Sequence, residues 1–210
     1  DTGDAKTARG CWSVIFRVKG AGTKKMASLQ AGADVDVLGP LGSGFVLPQR
    51  HEQPLLVGGG LGVAPLVFLA QRLQSLGWRP HVMLGFSTRD EVICVEQFER
   101  LGLVTEVTTD DGSWGECGQV VGLLTSWSGS GPVYTCGPLP MMNCVVQWCR
   151  QRGLSCQVSL EERMACGVGA CLSCVCPIRP SGDKSWIWQR ICKEGPVFNG
   201  LEVAFDVLCG

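Results

Sequence analysis

Cys166, Cys171 and Cys174 fall in the run Glu-Glu-Arg-Met-Ala-Cys-Gly-Val-Gly-Ala-Cys-Leu-Ser-Cys. The spacing C-x4-C-x2-C is that of a plant-type [2Fe–2S] loop, and it constrains this chain more than any other feature. Three thiolates can close on one small cluster only if the loop between them is irregular and free of bulk. Ala165, Gly167, Gly169, Ala170 and Ser173 meet that demand. They leave backbone N–H groups able to approach the sulfurs, which offsets the cluster's negative charge and helps set its potential. A cluster of this kind carries one electron at a time.

Plant-type sites take a fourth thiolate from farther along the chain. Cys192 is expected to supply it, because the strand-like stretch 185–191 can return the chain to the loop. Cys176 and Cys209 are the competitors. Cys176 would have to share an iron with Cys174 across a single residue, a cramped chelate. A structural zinc site of four cysteines is the alternative to a cluster; such sites usually read as paired C-x2-C knuckles, and one such pair is present.

The chain has 210 residues, 45% hydrophobic and 18% charged, enough for one large or two small globular domains. A net charge of −1 without basic runs gives no case for a nucleic acid or membrane-surface partner. No apolar stretch approaches the roughly 18 residues of a spanning helix, and the first residues do not read as a signal peptide. Thirteen cysteines, an odd number beside a cluster motif, fit a reducing cytoplasm better than a secreted disulfide framework. Cys11, Cys94, Cys144, Cys149 and Cys156 read as small buried hydrophobes. His51 and His81 are isolated, and Glu161 and Glu162 read as a solvated turn. With no Ser/His/Asp set or paired carboxylates, no catalytic side chain is assigned.

Three blocks follow one another. Residues 1–52 read as β, with strands over Cys11 to Val18 and Val35 to Leu38. Between these strands a short helix, Thr23 to Leu29, is capped by Thr23. A glycine-laden turn over Gly39 to Phe45 follows. Residues 53–154 alternate strand and helix, with strands at Pro54 to Val57, His81 to Phe86, Leu103 to Thr108 and Pro132 to Cys136. Their helices run over Leu61 to Leu76, Val92 to Leu101, Val120 to Trp127 and Pro140 to Arg152. Such alternation predicts a doubly wound parallel sheet. Residues 155–210 are short-stranded and hold the cysteine loop. The fold class is therefore α/β plus β.

Gly58-Gly59-Gly60-Leu61-Gly62-Val63-Ala64-Pro65 lies between the first strand and first helix of the alternating block. Gly58, Gly59, Gly60 and Gly62 suit the close approach of backbone amides to a pyrophosphate, and the helix start favours its charge. A tight turn would use the same residues, and the G-x-G-x-x-G fingerprint is not met, since Val63 stands at its third glycine. Cys136, Gly137 and Pro138 follow a second strand that can line the same crevice, with Cys136 facing a nicotinamide ring. Ser87 and Arg89 follow the second strand, where a 2′-phosphate could sit.

Taken in order, these pieces resemble the ferredoxin–NADP reductase-like superfamily. More closely, they look like the electron-transfer subunits of class 1B dihydroorotate dehydrogenases. The resemblance runs through Gly22-Thr23, Leu38-Gly39-Pro40-Leu41-Gly42, Gly44-Phe45, the Gly58 to Pro65 turn, Thr109-Asp110-Asp111-Gly112-Ser113 and Cys136-Gly137-Pro138. It ends on the cysteine loop and Cys192-Lys193-Glu194-Gly195-Pro196-Val197-Phe198. It implies a relay in which NADH, FAD and the [2Fe–2S] cluster pass electrons to or from FMN in a separate catalytic subunit, within a heterotetramer of two of each. It further implies FAD contacts from Ile15, Phe16, Arg17, Gly22 and Thr23.

One departure stands out. The family carries an Arg-Pro-x-Ser-type flavin motif upstream of the first strand, and this chain has none. Its β block is about half the length of a flavin barrel, so a partial barrel and a fragment of a longer protein are expected. Two other readings remain open: a subunit of a sulfide dehydrogenase or ferredoxin-dependent NADP reductase, and a metal-bearing redox sensor without turnover. Trp186 and Trp188 are expected on the core-facing side of a strand, with a partner contact as the alternative.

Overall fold

The computed structural model describes residues 13–49, 52–180 and 185–208. Two compact units result, residues 1–36 and residues 37–210.

In the first unit, helix α1 (Ala21–Ala27) starts one turn earlier than Thr23 as a cap would place it. Gly20 is the cap residue and Thr23 closes the turn from inside. Its hydroxyl accepts from the N–H of Lys19 at 2.9 Å and of Gly20 at 3.1 Å, and donates to the Gly20 carbonyl at 3.2 Å. The strands expected at Cys11 to Val18 and Val35 to Leu38 do not form. Cys11 lies outside the described residues, and Ser13 to Val18 take no strand hydrogen bonds. Val14, Ile15, Val18, Val35, Val37 and Leu38 are exposed. Their strand-like composition finds no neighbouring strand among the described residues, and a strand without a ladder is not held.

The second unit is built on seven strands: β1 (Leu55–Gly59), β2 (His81–Phe86), β3 (Thr105–Thr109), β4 (Glu116–Cys117), β5 (Val133–Cys136), β6 (Cys156–Ser159) and β9 (Val197–Asn199). Their order is β4-β3-β2-β1-β5-β6-β9. All neighbours are parallel except β9, which runs antiparallel to β6. A separate antiparallel hairpin joins β7 (Val175–Ile178) to β8 (Ile187–Arg190). β1 reads Leu-Leu-Val-Gly-Gly and is buried along its length, as a central parallel strand must be when both faces are covered.

Helices α2 (Val63–Ser75) and α3 (Val95–Arg100) cover one face, where Leu56, Leu66, Leu73, Leu84, Phe98 and Tyr134 pack together. Helix α4 (Leu139–Arg152), a 3₁₀ turn (Val120–Thr125) and α5 (Phe205–Leu208) cover the other, around Leu55, Val57, Met83, Val133 and Val146. The helix expected over Val120 to Trp127 is thus a 3₁₀ turn, short and β-branched at its start, with Val120 seated where Gly85 lacks a Cβ. The expected helix from Val92 begins only at Val95, because Cys94 is left-handed at φ 62°.

The block 155–210 is not set apart from the nucleotide sheet: it contributes β6 and the edge strand β9. Residues 37–49 also attach to this unit. Val46 is held by Gln157, with N–H to Oε1 and Nε2 to carbonyl both at 2.8 Å, and by the Tyr134 hydroxyl at 3.0 Å. Phe45 meets the Tyr134 ring edge-on at 5.6 Å.

Candidate functional site

The strand order places β1 next to β2 on one side and β5 on the other, so the chain changes direction across the sheet between β1 and β5. Open parallel sheets bind ligands at such a switch point, outside the carboxyl ends of the strands. Gly58 is paired in register with Cys136, which puts the Gly58 to Pro65 turn and the Cys136-Gly137-Pro138 turn side by side there.

The four glycines have different duties. A Cβ on Gly58 would meet the Val63 side chain at 2.9 Å, and one on Gly59 the Met141 sulfur at 2.6 Å. On Gly62 it would lie 2.4 Å from the Cys136 carbonyl oxygen. These three let the two strand ends and their helices close on one another. Gly60 is different: it sits at φ +52° with nothing within 4 Å of its missing Cβ. It is the open point of the turn that leads into α2, and a helix start favours a phosphate's charge. Burial pushes the Cys136 thiol up to about 11, opposed by a hydrogen bond from Ser159 and reinforced by Glu161, so it stays protonated at neutral pH.

Arg89, offered by the sequence for a 2′-phosphate, meets the Thr109 to Ser113 motif and Trp114 beyond β3. Arg89 lies over the Trp114 ring at 5.6 Å, and its N–H donates to Ser113 Oγ at 2.8 Å. Asp111 accepts from both the N–H and hydroxyl of Ser113, at 3.0 and 2.5 Å. The Thr109 to Ser113 motif therefore builds a braced loop beyond β3, and Arg89 is already engaged by it.

The second centre is the cysteine loop. β7 starts directly after Cys174, and Val175 pairs with Arg190. The ladder continues as the Ile191 N–H donates to the Cys174 carbonyl at 2.7 Å. Cys192 is the next residue, so the ladder brings it back beside Cys174. Cys171 in turn donates its N–H to Cys166 Sγ at 3.4 Å. Among the described residues no three His, Cys, Asp or Glu side chains gather about one point, as a mononuclear zinc site would require.

Local electrostatics suit thiolate chemistry. The Cys171 N–H first, then its thiol and the N–H groups of Val168 and Ala170, hold the Cys166 thiol down at about 6. Gly167 and Gly169 supply the left-handed turns that aim these amides, at φ 72° and 79°. Burial and the Cys174 contact push the Cys192 thiol up, while the Gly169 N–H pulls it down. The donor set, three thiols on one loop and a fourth returned to it by the β7–β8 ladder, with a backbone N–H on Cys166 Sγ, fits a two-iron cluster. Cys176 is a different residue altogether: it is fully buried in β7, and burial pushes its thiol up to about 12. Cys209 lies outside the described residues, as does His51.

The turn Gly39 to Phe45 docks beside this centre. Ser43 bridges to Pro196, and a Cβ on Gly42 would sit 2.0 Å from the Gly195 carbonyl oxygen. Leu41 approaches Gly167 at 3.4 Å, measured from that glycine's missing Cβ.

Two expectations are corrected, those for the tryptophans and for the buried cysteines. Trp186 and Trp188 are 38% and 55% exposed and stack edge-on at 4.8 Å, so they do not pack on the core. β8 lies at the surface of a two-stranded hairpin, which leaves both of its faces only partly covered. Cys144 is exposed and Cys94 half-buried, whereas Cys149 and Cys156 are buried as expected; Cys11 lies outside the described residues. Thr23 has no spare hydroxyl capacity, since its own turn uses both acceptor positions and the proton. Of the other FAD candidates in the first unit, Ile15, Arg17 and Gly22 are exposed and Phe16 half-buried.

A mostly parallel sheet with a glycine turn at its switch point, on the same unit as four cysteines that fit a two-iron cluster, defines a ferredoxin–NADP reductase-like iron–sulfur protein. Comparison with known proteins narrows the class. Residues 161–204 match the family described as the iron-sulfur cluster binding domain of dihydroorotate dehydrogenase B. A relative from Shouchella clausii, named as the electron transfer subunit of dihydroorotate dehydrogenase B (NAD(+)), is 44% identical over 194 residues, covering 91% of this chain and 73% of its own. The protein of the same name from Caldanaerobacter subterraneus subsp. tengcongensis is 40% identical, covering 92% and 75%. A solved structure of an NADH-dependent reduced ferredoxin–NADP oxidoreductase superposes with a TM-score of 0.77 at 32% identity, over 92% of this chain and 69% of that one. The chain belongs to the family of dihydroorotate dehydrogenase B electron transfer subunits.

Proposed function

We propose that this chain relays electrons between NADH, FAD and a [2Fe–2S] cluster, to or from the FMN of a dihydroorotate-oxidising catalytic subunit in the cytoplasm. The observation that carries this reading is the convergence of the cysteine loop, where the Cys171 N–H reaches Cys166 Sγ, with the β7–β8 ladder that brings Cys192 back beside Cys174, on the same unit as the β1/β5 switch point. A bound flavin takes up two electrons as hydride and gives them up singly, which is what a one-electron cluster requires.

The residues divide the work. Gly60 and the start of α2 receive the dinucleotide's phosphates, while Gly58, Gly59 and Gly62 keep the strand ends close enough to form the crevice. Cys136, protonated and flanked by Gly137 and Pro138, lines the nicotinamide end. Ile15, Phe16, Arg17, Gly22 and the Thr23 backbone serve the flavin. Cys166, Cys171, Cys174 and Cys192 hold the cluster, and loop amides of Val168, Gly169, Ala170 and Cys171 stabilise its charge.

Leu172, Trp186 and Trp188 expose apolar surface beside the loop, next to a cleft of about 470 Å³ lined by Leu172, Val175, Trp188, Gln189, Arg190 and Glu194. We place the catalytic subunit there, in a heterotetramer of two of each. No helix among the described residues is long and apolar enough to cross a membrane.

The solved oxidoreductase at 32% identity favours a second reading, a subunit serving ferredoxin and NADP. The relatives at 40 to 44% identity weigh toward the first. The test is an anaerobic titration with NADH, following iron content, flavin absorbance and EPR, with and without the dihydroorotate-oxidising subunit. Two irons per chain, NADH-dependent bleaching, and electron delivery only to that subunit are expected. Delivery to ferredoxin instead would favour the second reading.

A further inference from the structure

The Gly39 to Phe45 turn is fastened to the segment that carries Cys192. The Ser43 N–H donates to the Gly195 carbonyl at 2.5 Å, and the Val197 N–H donates back to the Ser43 carbonyl at 3.3 Å. Beside this anchor three apolar side chains converge on Gly167, the residue after Cys166. Measured from the position of its missing Cβ, Leu41 Cδ1 lies at 3.4 Å, Met164 Sδ at 3.7 Å and Leu38 Cδ2 at 3.8 Å. Two residues on, the surroundings are polar. A Cβ on Gly169 would meet the Lys193 stem at 2.8 Å, and Arg190, its guanidinium held by the Glu194 carboxylate, donates from Nη1 to the Gly169 carbonyl at 2.9 Å. The apolar set therefore belongs to the Cys166 end of the loop.

We propose that Leu38, Leu41 and Met164 form an apolar cover over the Cys166 edge of the cluster, which keeps water from it and holds its reduction potential down. This rests on the reading of the four thiols as cluster ligands. Reduction adds one negative charge, and water stabilises that charge better than hydrocarbon does, so an apolar cover favours the oxidised form. The two ends of the site differ in their need for one. Cys174 and Cys192 are 1% and 4% exposed and enclosed by the fold itself, whereas Cys166 is half-buried and Cys171 exposed. None of the three covering residues is buried in the core: Leu38, Met164 and Leu41 are 65%, 50% and 39% exposed. Truncating one of them therefore costs the fold little. Leu41 is the central member, nearest to Gly167 and two residues from the Ser43 anchor.

The experiment compares the full chain with its Leu41→Ala, Leu41→Met and Leu38→Ala variants, all loaded with cluster. It measures iron content, the midpoint potential by EPR-monitored titration, and the deuteron modulation of the reduced cluster's EPR signal after exchange into heavy water. Leu41→Ala is expected to shift the reduction equilibrium about three- to tenfold toward the reduced form, tenfold being about 59 mV for one electron. Deuteron modulation should rise with it, as water reaches the cluster. Leu41→Met replaces one flexible apolar chain by another of similar size and should keep both wild-type readings. Leu38→Ala should move both readings in the same direction as Leu41→Ala and by less, since Leu38 lies farther from Gly167.

Unchanged readings in Leu41→Ala overturn the proposal, as does a shift toward the oxidised form. A shifted potential without added deuteron modulation, or added modulation without a shift, overturns it too, because water exclusion then does not set the potential. So does a Leu41→Met variant that behaves like Leu41→Ala. Should Leu41→Ala fail to hold iron, Leu38→Ala carries the test by the same two readings, and loss of iron from both overturns the proposal in favour of a folding role. A wild-type chain that holds no two-iron cluster overturns the assignment of the thiols, and this proposal with it.

Discussion

The Tyr134 hydroxyl donates to the Val46 carbonyl at 3.0 Å, tying the middle of the nucleotide sheet to the segment that leads into it. Tyr134 is the chain's only tyrosine and is fully buried. Burial pushes its phenol up to about 12, against about 10 for a free one. The sign follows from linkage: the folded state keeps a proton that the unfolded state releases, so this contribution is whole below about pH 10 and lost as pH rises toward 12. Tyrosinate absorbance should therefore appear near pH 12 in the native protein and near pH 10 in denaturant. Tyr134→Phe should cost about 1 kcal/mol in denaturant unfolding, the usual net worth of one hydrogen bond. Native ionisation near pH 10 would show that the phenol is not buried against Val46.

The choice of fourth ligand is tested by paired substitutions. Cys192→Ser should abolish stable cluster assembly, because it removes one of the four thiols proposed to hold it. Cys176→Ser should keep two irons per chain, since that thiol is enclosed in β7 and held protonated. It should cost stability, by about 1 to 3 kcal/mol, if the new hydroxyl finds no hydrogen-bond partner. Iron analysis and visible spectra decide the matter, and equal iron content in the two variants would contradict the assignment.

Much of this was legible in the sequence, and the exceptions share a cause. β2 was read at its true limits, and the β1 and β5 ends with their glycine turns were found, because hydrophobic runs and turn residues are local signals. The cysteine loop was legible because ligand spacing is itself a local signal. What failed depends on partners distant in sequence. Val14, Val35 and Val37 have strand chemistry, but a strand exists only when another pairs with it. Trp186 and Trp188 alternate like core residues, yet the surface hairpin exposes them. The Arg190–Glu194 pair had a readable i, i+4 charge spacing, but its link to Gly169 joins residues that only the β7–β8 ladder brings together.

Gly42 is a position where the chain tolerates nothing larger. It is left-handed at φ +67°, and a Cβ would fall 2.0 Å from the Gly195 carbonyl oxygen, a backbone atom that cannot step aside cheaply. Gly42→Val should therefore release the Gly39 to Phe45 turn from the Cys192 to Phe198 segment. A loss of roughly 2 kcal/mol or more is expected, combining strain with overpacking. Faster loss of cluster absorbance in chelator should accompany it. Gly44→Ala, with nothing within 4 Å of the new Cβ, is the control and should behave as wild type.

The nucleotide turn offers the sharpest separation of packing from binding. Gly62→Ala places a Cβ 2.4 Å from the Cys136 carbonyl oxygen, so it should destabilise the whole sheet and lower every activity together. Gly60 has open space instead, and its left-handed φ is one that asparagine accepts at small cost. Gly60→Asn should therefore keep its unfolding midpoint, iron content and EPR spectrum. It should raise the KM for NADH about tenfold, because the side chain occupies the space where the phosphates approach the start of α2. Stopped-flow reduction at saturating NADH should be little changed, since the electron path beyond the dinucleotide is untouched. If Gly60→Asn binds NADH as tightly as wild type, the open point of the turn does not face the phosphates, and the dinucleotide must lie elsewhere along the β1/β5 crevice.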